Sequence, residues 1–447
     1  MAAGIGLGIS MGWAVAKKGF SAVIQGLFAI LEARSTYFEN ANDSKLSVQK
    51  LEAAGLLDKA SIILTPTGYS KDAIHNVKPS SAPFGDMTLI KNSSSTRVDE
   101  NGLVVSNTTD IPRIDYSKGS GAILSEISTV NQLLYSEDLT QSVWGGSGSF
   151  TSSITMTDPE GNTSSVSNIF RYSSGSNSGR AQTAATSTSG NGVGISAWVY
   201  NPDGGTQQVW LGHGDIASGN GSFYDVTDSW QRIEYTTTGA PGVTFSEFHI
   251  APASSSNLRV WGCQFENGIQ SNSPGRITSY IPTTSGSGTR PRDNYLNGGD
   301  TSLIGAQEGV FYAEMAAITN QVGRNRGIAL SASNSAANRV VLFFSAASNG
   351  IQAWVQASAS TVIAINGTVA DQTAFNKIAV KYKSGDVALW INGTEAATST
   401  TSFTFNAALS ELAFDQGNGS MHMDGYIKEL AVFKEALSDA ELAALTS

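Results

Sequence analysis

The sequence predicts a mainly β chain, with two β-sandwich or jelly-roll domains in tandem behind a helical, apolar N-terminal anchor. Composition supports this fold class, because 40% of the 447 residues are hydrophobic, only 14% are charged and 47 are Gly. Short apolar runs alternate with clusters of Gly, Ser and Thr, which is typical of strands joined by tight turns. Helical periodicity is confined to residues 1–60 and to the last few residues.

Charge and cysteine content exclude two classes of protein. The net charge is −10 and the longest basic cluster is Lys17-Lys18, whereas nucleic-acid binding needs a basic face. We therefore expect no nucleic-acid partner. Cys263 is the single cysteine, so the chain has no intrachain disulfide framework.

The first segment is apolar and rich in Gly. Met1–Ala16 lacks the basic start of a secretory signal, and it is shorter than the roughly 20 residues of a membrane-spanning helix. We predict that it is an anchor buried against protein, and a membrane contact is the less favoured alternative.

Two helices are predicted within residues 1–60. Apolar residues recur at three- and four-residue spacing from Phe20 to Leu31, and again across Ser44–Lys59. Asn40–Ser44 supplies turn and cap residues between them. Two alternatives stay open: the helices pack on their own domain, or they form a seam between copies of the chain.

Residues 61–130 are predicted to be a connecting segment without a core of its own. Ser61–Pro66 and Met87–Lys91 are strand-like, and brief apolar runs follow between Asn, Asp, Gly and Pro. We expect this segment to wrap around the next domain.

Residues 131–285 are predicted to form the first sandwich. Its strands show partial period-2 alternation with widely spaced aromatic residues, so one face of each is buried. The clearest are Ile195–Tyr200, Gln208–Leu211, Trp230–Tyr235, Thr244–Ile250 and Leu258–Phe265.

Residues 300–447 are predicted to form the second sandwich, after a polar boundary at 285–300. Asn392-Gly393 is a type I′ hairpin signal, and Ser438–Glu441 is a capping box that opens a short helix, Asp439–Leu445. The predicted strands are Gly309–Ala316, Arg339–Ser345, Ile351–Gln356, Thr361–Asn366, Asn376–Lys383, Asp386–Ile391 and, closing the domain, Met421–Phe433.

Several motifs in a fixed order resemble bacteriophage virion proteins, namely tail or head fibres and capsid decorations. The order is STRVDENGLV, IPRIDY, LLYSEDLTQSVW, WGCQFENG and TSYIPTTSGSGTR, a run that in those proteins introduces a jelly roll similar to a carbohydrate-binding module. SLIGAQEGVFYAEM, ALWINGTEA and YIKELAVFKEALSDAELAALTS resemble the concanavalin-like (laminin-G-like) sandwich that often follows. The resemblance covers residues 61–447, and the chain departs from it at Glu126–Leu134 and at Cys263.

The resemblance implies a virion protein on the surface of an extracellular particle. Residues 1–60 would dock on other virion proteins, and the two sandwiches would face outward for attachment to host-surface glycan. Fibres of this kind are commonly homotrimers, so a homotrimer is the expected assembly. Two alternatives remain: a purely structural capsid or tail decoration, and a polysaccharide-degrading enzyme.

We predict that the chain is not an enzyme. Glycoside hydrolysis needs two carboxylates facing each other across a cleft, which on one strand requires a Glu-x-Asp-x-Glu type of spacing. In residues 301–447, Glu411 and Asp415 lie four apart and Asp424 and Glu429 lie five apart. The four histidines show no spacing typical of zinc ligands.

Candidate carbohydrate contacts are indoles and one loop histidine. Trp144, Trp210, Trp354 and Trp390 are the candidate indoles, with a role in the core as the alternative. His213 lies in the Gly-rich run LGHGDIASGNG. Trp198, Trp230 and Trp261 lie in apolar strands and are predicted to be core residues.

No cofactor is expected, although calcium is a candidate ligand of either sandwich. Its ligands would be loop oxygens, from Asp225 and Asp228 in YDVTDSW or from Asp415 and Asn418 in FDQGNGS. Ordinary turn chemistry is the alternative for all four residues.

Overall fold

The computed structural model describes most of the chain as β-structure. The described residues are 19–81, 85–172, 178–183, 187–240, 242, 244–271, 275–320, 325–333 and 335–447. The predicted anchor Met1–Ala16 lies outside them. Across the part of the chain that is described, no helix has the length and apolar character needed to cross a membrane.

Within the described residues, three α-helices and a 3₁₀ turn accompany the strands. They are α1 (Ala22–Arg34), α2 (Ala41–Ala53), α3 (Asp439–Thr446) and the 3₁₀ turn Ile216–Ser218. The Ser21 hydroxyl accepts a hydrogen bond from the N–H of Ile24 and caps α1. Ser438 and Glu441 form the predicted capping box of α3.

Ten strands precede the middle module in the part of the chain that the structure describes. They are β1 (Tyr37–Phe38), β2 (Ala60–Leu64), β3 (Gly68–Ser70), β4 (Ala73–Ile74), β5 (Met87–Ile90), β6 (Ser95–Val98), β7 (Val104–Asn107), β8 (Ile114–Asp115), β9 (Ala122–Ser125) and β10 (Thr129–Asn131).

The described residues of the middle module and its exit form ten more strands. They are β11 (Ser149–Thr157), β12 (Thr163–Arg171), β13 (Arg180–Thr183), β14 (Asn191–Tyr200), β15 (Gln207–Gly212), β16 (Gly221–Val226), β17 (Gln231–Thr236), β18 (Glu247–Pro252), β19 (Asn257–Ser271) and β20 (Gly288–Arg290).

The remaining strands follow in the C-terminal part. They are β21 (Asn294–Leu296), β22 (Glu308–Ala317), β23 (Arg326–Ser331), β24 (Arg339–Phe344), β25 (Gly350–Ala357), β26 (Ser360–Thr368), β27 (Asn376–Lys383), β28 (Val387–Ile391), β29 (Thr394–Ser399), β30 (Glu411–Ala413) and β31 (Gly425–Phe433).

The C-terminal sandwich has two sheets. One has the order β29-β28-β27-β22-β31-β9-β8, with β2 also on β31, and the other has the order β26-β25-β24-β23-β30. Their inner faces share one apolar core that includes Phe311, Leu342 and Val355. Asn392 and Gly393 both have positive φ in the β28–β29 turn, as the type I′ prediction requires.

The connecting segment supplies strands to this C-terminal sheet. Residues Gly425–Ile427 of β31 pair with β9, and Leu430–Phe433 pair with β2. The sequence predicts only that residues 61–130 wrap around the middle module. In the structure they also contribute strands to the C-terminal sheet. Local sequence patterns do not predict this pairing, because β31 lies about 300 residues after β9 in the sequence.

The middle module is inserted into the C-terminal sandwich. Its entry strand β10 pairs antiparallel with its exit strand β20, from Thr129 opposite Arg290 to Asn131 opposite Gly288. The flanking strand β9 belongs to the C-terminal sheet, and β21 pairs with β5. The two sandwiches are thus nested rather than simply in tandem, which corrects the predicted arrangement.

The middle module is itself a two-sheet sandwich. The sheets have the orders β11-β12-β19-β14-β17 and β13-β18-β15-β16. Inward residues such as Ile195, Leu211, Ile250 and Phe265 fill the space between them. A second cluster on the outer face of the first sheet joins Trp198, Trp261 and Tyr280 to Val104 of β7.

The helices pack on the outer face of the eight-stranded sheet. Ile24, Phe28 and Val48 bury their side chains in a cluster that also holds Tyr312 and Trp390 of the sheet. Of the two alternatives left open, the described residues support helices that pack on their own chain. Docking of residues 1–60 on other virion proteins stays a proposal.

Candidate functional site

The structure buries three of the four candidate indoles. Trp144 packs edge-on against Phe248 in the core of the middle module. Trp210 is buried and donates its indole N–H to the Gly214 carbonyl. Trp390 lies beneath the helical layer. These three indoles are therefore core residues. A sugar ring needs a free aromatic face, so the prediction that they contact carbohydrate is corrected.

Trp354 is the candidate indole that remains accessible. Along β25, Ile351, Ala353 and Val355 point into the core, so Gln352, Trp354 and Gln356 point to the opposite face. Its cross-strand neighbours are Val341 and Ala364. The indole packs edge-on against Phe343, with ring centroids 4.6 Å apart. We call this half-exposed surface of the five-stranded sheet the Trp354 face.

Planar polar side chains flank the indole on both sides. Gln352 lies opposite Asn366 on β26 and donates its amide N–H to the Asn366 side-chain oxygen. On the other side, Nε of Arg339 donates to Oε1 of Gln356 over 2.6 Å. These bonds fix the amide planes. They leave the Gln352 oxygen and the amide N–H groups of Gln356 and Asn366 available for a ligand.

The loop Asp415–Ser420 borders the Trp354 face. Nη1 of Arg339 donates to the Gln416 carbonyl over 2.7 Å, which ties the loop to β24. Gly417 has φ +81°, and a Cβ there would lie 2.6 Å from Cβ of Ser331, so the close approach of loop and sheet requires glycine. Burial lowers the pKa of Arg339, and the nearby Asp415 carboxylate counteracts that shift.

The four candidate calcium ligands do not come together with further acidic side chains in the described structure. Oδ1 of Asp415 accepts hydrogen bonds from the N–H groups of Gly417 and Asn418. The buried Oδ2 of Asp415 has no hydrogen-bond partner among the described residues. The Asn418 side chain accepts from Ser420. Asp225 and Asp228 are exposed. No group of three acidic, His or Cys side chains suited to a metal occurs in the described ranges, and Ca²⁺ takes six to eight oxygens. The described residues bring together no such set around these side chains, and calcium stays a prediction.

His213 lies apart from the Trp354 face, in the middle module. Its ring packs edge-on against Phe245, with centroids 4.6 Å apart, and near Tyr235. Burial lowers its pKa, which favours the neutral imidazole. Its contact with carbohydrate stays a prediction.

The described residues also form a cavity of about 230 Å³ where the middle module meets the C-terminal sandwich. Aromatic rings of Trp198, Tyr280 and Tyr426 line it together with Arg232 and Glu234. The Arg232 guanidinium lies over the Trp198 ring, at 4.7 Å from the ring centroid. Nη1 of Arg232 lies 3.4 Å from Oε1 of Glu234. Two charged side chains of the cavity lining, Arg232 and Glu234, are thus paired with each other.

One carboxylate pair was not recognised in the sequence. Glu314 of β22 and Glu429 of β31 lie directly opposite each other, and both are buried. Burial raises the pKa of Glu429 to about 7, and Glu314 adds to that rise. Neither lines the junction cavity. Because they lie 115 positions apart on different strands, spacing within one strand could not reveal them.

A protein-family model matches the part of the chain that carries the Trp354 face. Residues 317–443 match the concanavalin A-like lectin/glucanases superfamily, in its laminin-G-like form. The predicted boundaries of 300–447 enclose this match. The C-terminal concanavalin-like domain is thus confirmed, and it includes β23–β30 with all residues of the face.

Comparison with solved structures finds β-sandwich proteins at low similarity. The carbohydrate-binding module 40 of the Ruminococcus gnavus IT-sialidase, bound to α2,3-sialyllactose, is 17% identical with a TM-score of 0.28, covering 32% of this chain and 84% of that one. Domain 4 of the Geobacillus stearothermophilus arabinanase AbnA, in complex with arabinotriose, is 15% identical with a TM-score of 0.29, covering 39% and 82%. At these values the likeness carries no argument about ligands. No curated protein matches the chain.

Proposed function

We propose that the chain is a non-enzymatic virion protein, a tail or head fibre, that attaches to host-surface glycan through the Trp354 face. The observation that carries the glycan proposal is the accessible indole flanked by Gln352, Gln356 and Asn366 on one sheet face. Sugar rings present apolar C–H faces and a rim of hydroxyls, so they are bound by aromatic stacking together with planar hydrogen-bonding groups.

The geometry favours stacking above Trp354. Its neighbour Ala364 on β26 is small and exposed, so the outward surface of the indole stays uncovered. The polar rows on either side, Gln352 with Asn366 and Gln356 with Arg339, lie two residues from Trp354 along the strand, a distance of about 7 Å. A sugar ring on the indole can therefore reach both rows.

The virion part of the proposal rests on the ordered motifs from STRVDENGLV to TSYIPTTSGSGTR and their resemblance to phage virion proteins. Mass spectrometry of purified particles that carry this chain tests it. We expect the protein in stoichiometric amount, and its absence from intact particles would overturn the virion role. A purely structural decoration would be present in particles but would bind no glycan.

A glycan array probed with the full chain tests the binding role. We expect a defined set of bound glycans, with binding lost in Trp354→Ala and kept in Tyr37→Ala, which removes an exposed aromatic side chain outside the face. Release of reducing sugar from the bound glycans would instead favour the polysaccharide-degrading enzyme.

A further inference from the structure

We propose that β11 is a self-complementary edge through which two copies of this chain join their middle modules into one continuous sheet. β11 is the outermost strand of the sheet β11-β12-β19-β14-β17. It spans nine residues, and none of them is charged or Pro. A long, flat, uncharged edge strand is the kind that pairs with another chain.

The free backbone groups of β11 can be identified from its pairing with β12. The N–H of Tyr172 donates to the Gly148 carbonyl, and the N–H of Asp158 donates to the Asn162 carbonyl. Hydrogen-bonded pairs alternate along antiparallel strands. The even-numbered residues of β11 therefore bond to β12, while Thr151, Ser153 and Thr155 point their N–H and C=O groups away from the sheet.

An antiparallel two-fold contact centred on Ser153 satisfies these groups. Ser153 would face its own copy, and Thr151 would face Thr155 of the second copy, which forms roughly six backbone hydrogen bonds. A two-fold interface requires a patch that complements itself. Since β11 carries no charge, no like charges oppose each other across the axis.

Exposed aromatic residues lie beside this edge. Phe150 is 60% exposed and faces Phe170, 36% exposed, on β12, with Tyr172 at 62% just beyond. In the two-fold register Phe150 would lie opposite Met156 of the second copy. This contact covers apolar surface that a single copy leaves in water.

Other sheet edges in the described structure are less suited to pairing. Charged residues occur in β13 (Arg180), β16 (Asp225), β17 (Arg232 and Glu234) and β29 (Glu395). β26 is also free of charge, but its edge lies against neighbouring residues, since a Cβ on Gly367 would lie 2.5 Å from Ile391 and 3.1 Å from Ala396. An edge that is uncharged and flanked by exposed aromatic residues is thus found at β11.

Sedimentation equilibrium of the full chain tests the proposal. We expect twice the mass of one chain at micromolar concentration, and self-association at least tenfold weaker in Ser153→Lys, which places two like charges on the axis. Ser360→Lys, on the uncharged strand β26, is the matched control and should leave the mass unchanged. A monomeric or trimeric wild type, or a Ser153→Lys variant that dimerises as tightly as the wild type, would overturn the proposal.

Hydrogen exchange gives a second readout that does not depend on a variant. The amides of Thr151, Ser153 and Thr155 should become protected as the protein concentration rises, whereas those of Ser152 and Ile154 should be protected at every concentration. Fast exchange of the odd-numbered amides in the associated state would rule out pairing through β11.

Discussion

Arg113 and Asp293 form a fully buried ion pair although 180 positions separate them. Arg113 also bonds Glu126 over 2.6 Å, and Arg290 lies 2.8 Å from the same carboxylate. Burial alone would raise the pKa of Glu126, but Arg290 and Arg113 hold it well below its usual range. The motifs IPRIDY and TSGSGTRPRD thus meet in one network at the base of the inserted module.

Breaking this pair should destabilise the protein strongly. Arg113→Ala leaves two buried carboxylates without their shared partner, and we expect a loss of about 3–5 kcal/mol in the free energy of unfolding. Urea denaturation measures it. Lys383→Ala is the control, because its pair with Glu308 is 50% and 40% exposed and should contribute less than about 1 kcal/mol. Equal losses in both variants would contradict a structural role for the network.

The pair Glu314 and Glu429 predicts a pH-dependent stability. The pKa of Glu429 is raised from 4.5 to about 7, so the folded state holds a proton that the unfolded state has already released. Its stabilising contribution is complete below pH 4.5 and is lost as the pH rises through 7, a difference of about 3 kcal/mol. Unfolding free energies of the wild type at pH 4.5 and 8 measure this.

Glu429→Gln should remove that dependence, because the amide keeps the shape of the neutral acid and does not titrate. Glu435→Gln, on the exposed turn after β31, is the control and should retain the wild-type difference. If Glu429→Gln leaves the pH profile of stability unchanged, protonation of Glu429 is not the cause of the pH dependence.

Trp390 and Trp354 should respond oppositely to truncation. Trp390→Ala opens a cavity under the helices, and we expect a loss of about 3–5 kcal/mol in stability with glycan binding intact in the folded protein. Differential scanning calorimetry and binding measured well below the melting temperature separate the two effects. A Trp390→Ala variant that is stable but does not bind would place the site beneath the helices instead.

Local pattern predicted the C-terminal strands well, since apolar alternation is strong there. The predicted Asn376–Lys383 coincides with β27. The hairpin of β11 and β12 was missed, because SFTSSITMT is dominated by Ser and Thr and buries little on either face. The insertion of the middle module was missed because long-range strand pairing leaves no local signal.

For the candidate site, the sequence held a signal that distinguishes the indoles. Trp354 lies in QAWVQA, where Gln352 and Gln356 mark a solvated face. Trp390 lies in VALWI, a continuous apolar run that indicates burial on both faces. Trp144 lies outside the strands and packs against Phe248 of β18, and Trp210 packs against Phe223 of β16. Strand periodicity does not encode either contact.

The dissociation constant of Trp354→Ala for a glycan bound by the wild type tests the central claim most directly. An indole that stacks on the sugar is an anchor of the interface, so its removal should weaken binding at least about tenfold while the melting temperature stays close to that of the wild type. An unchanged dissociation constant in a folded Trp354→Ala variant would contradict glycan attachment through this face.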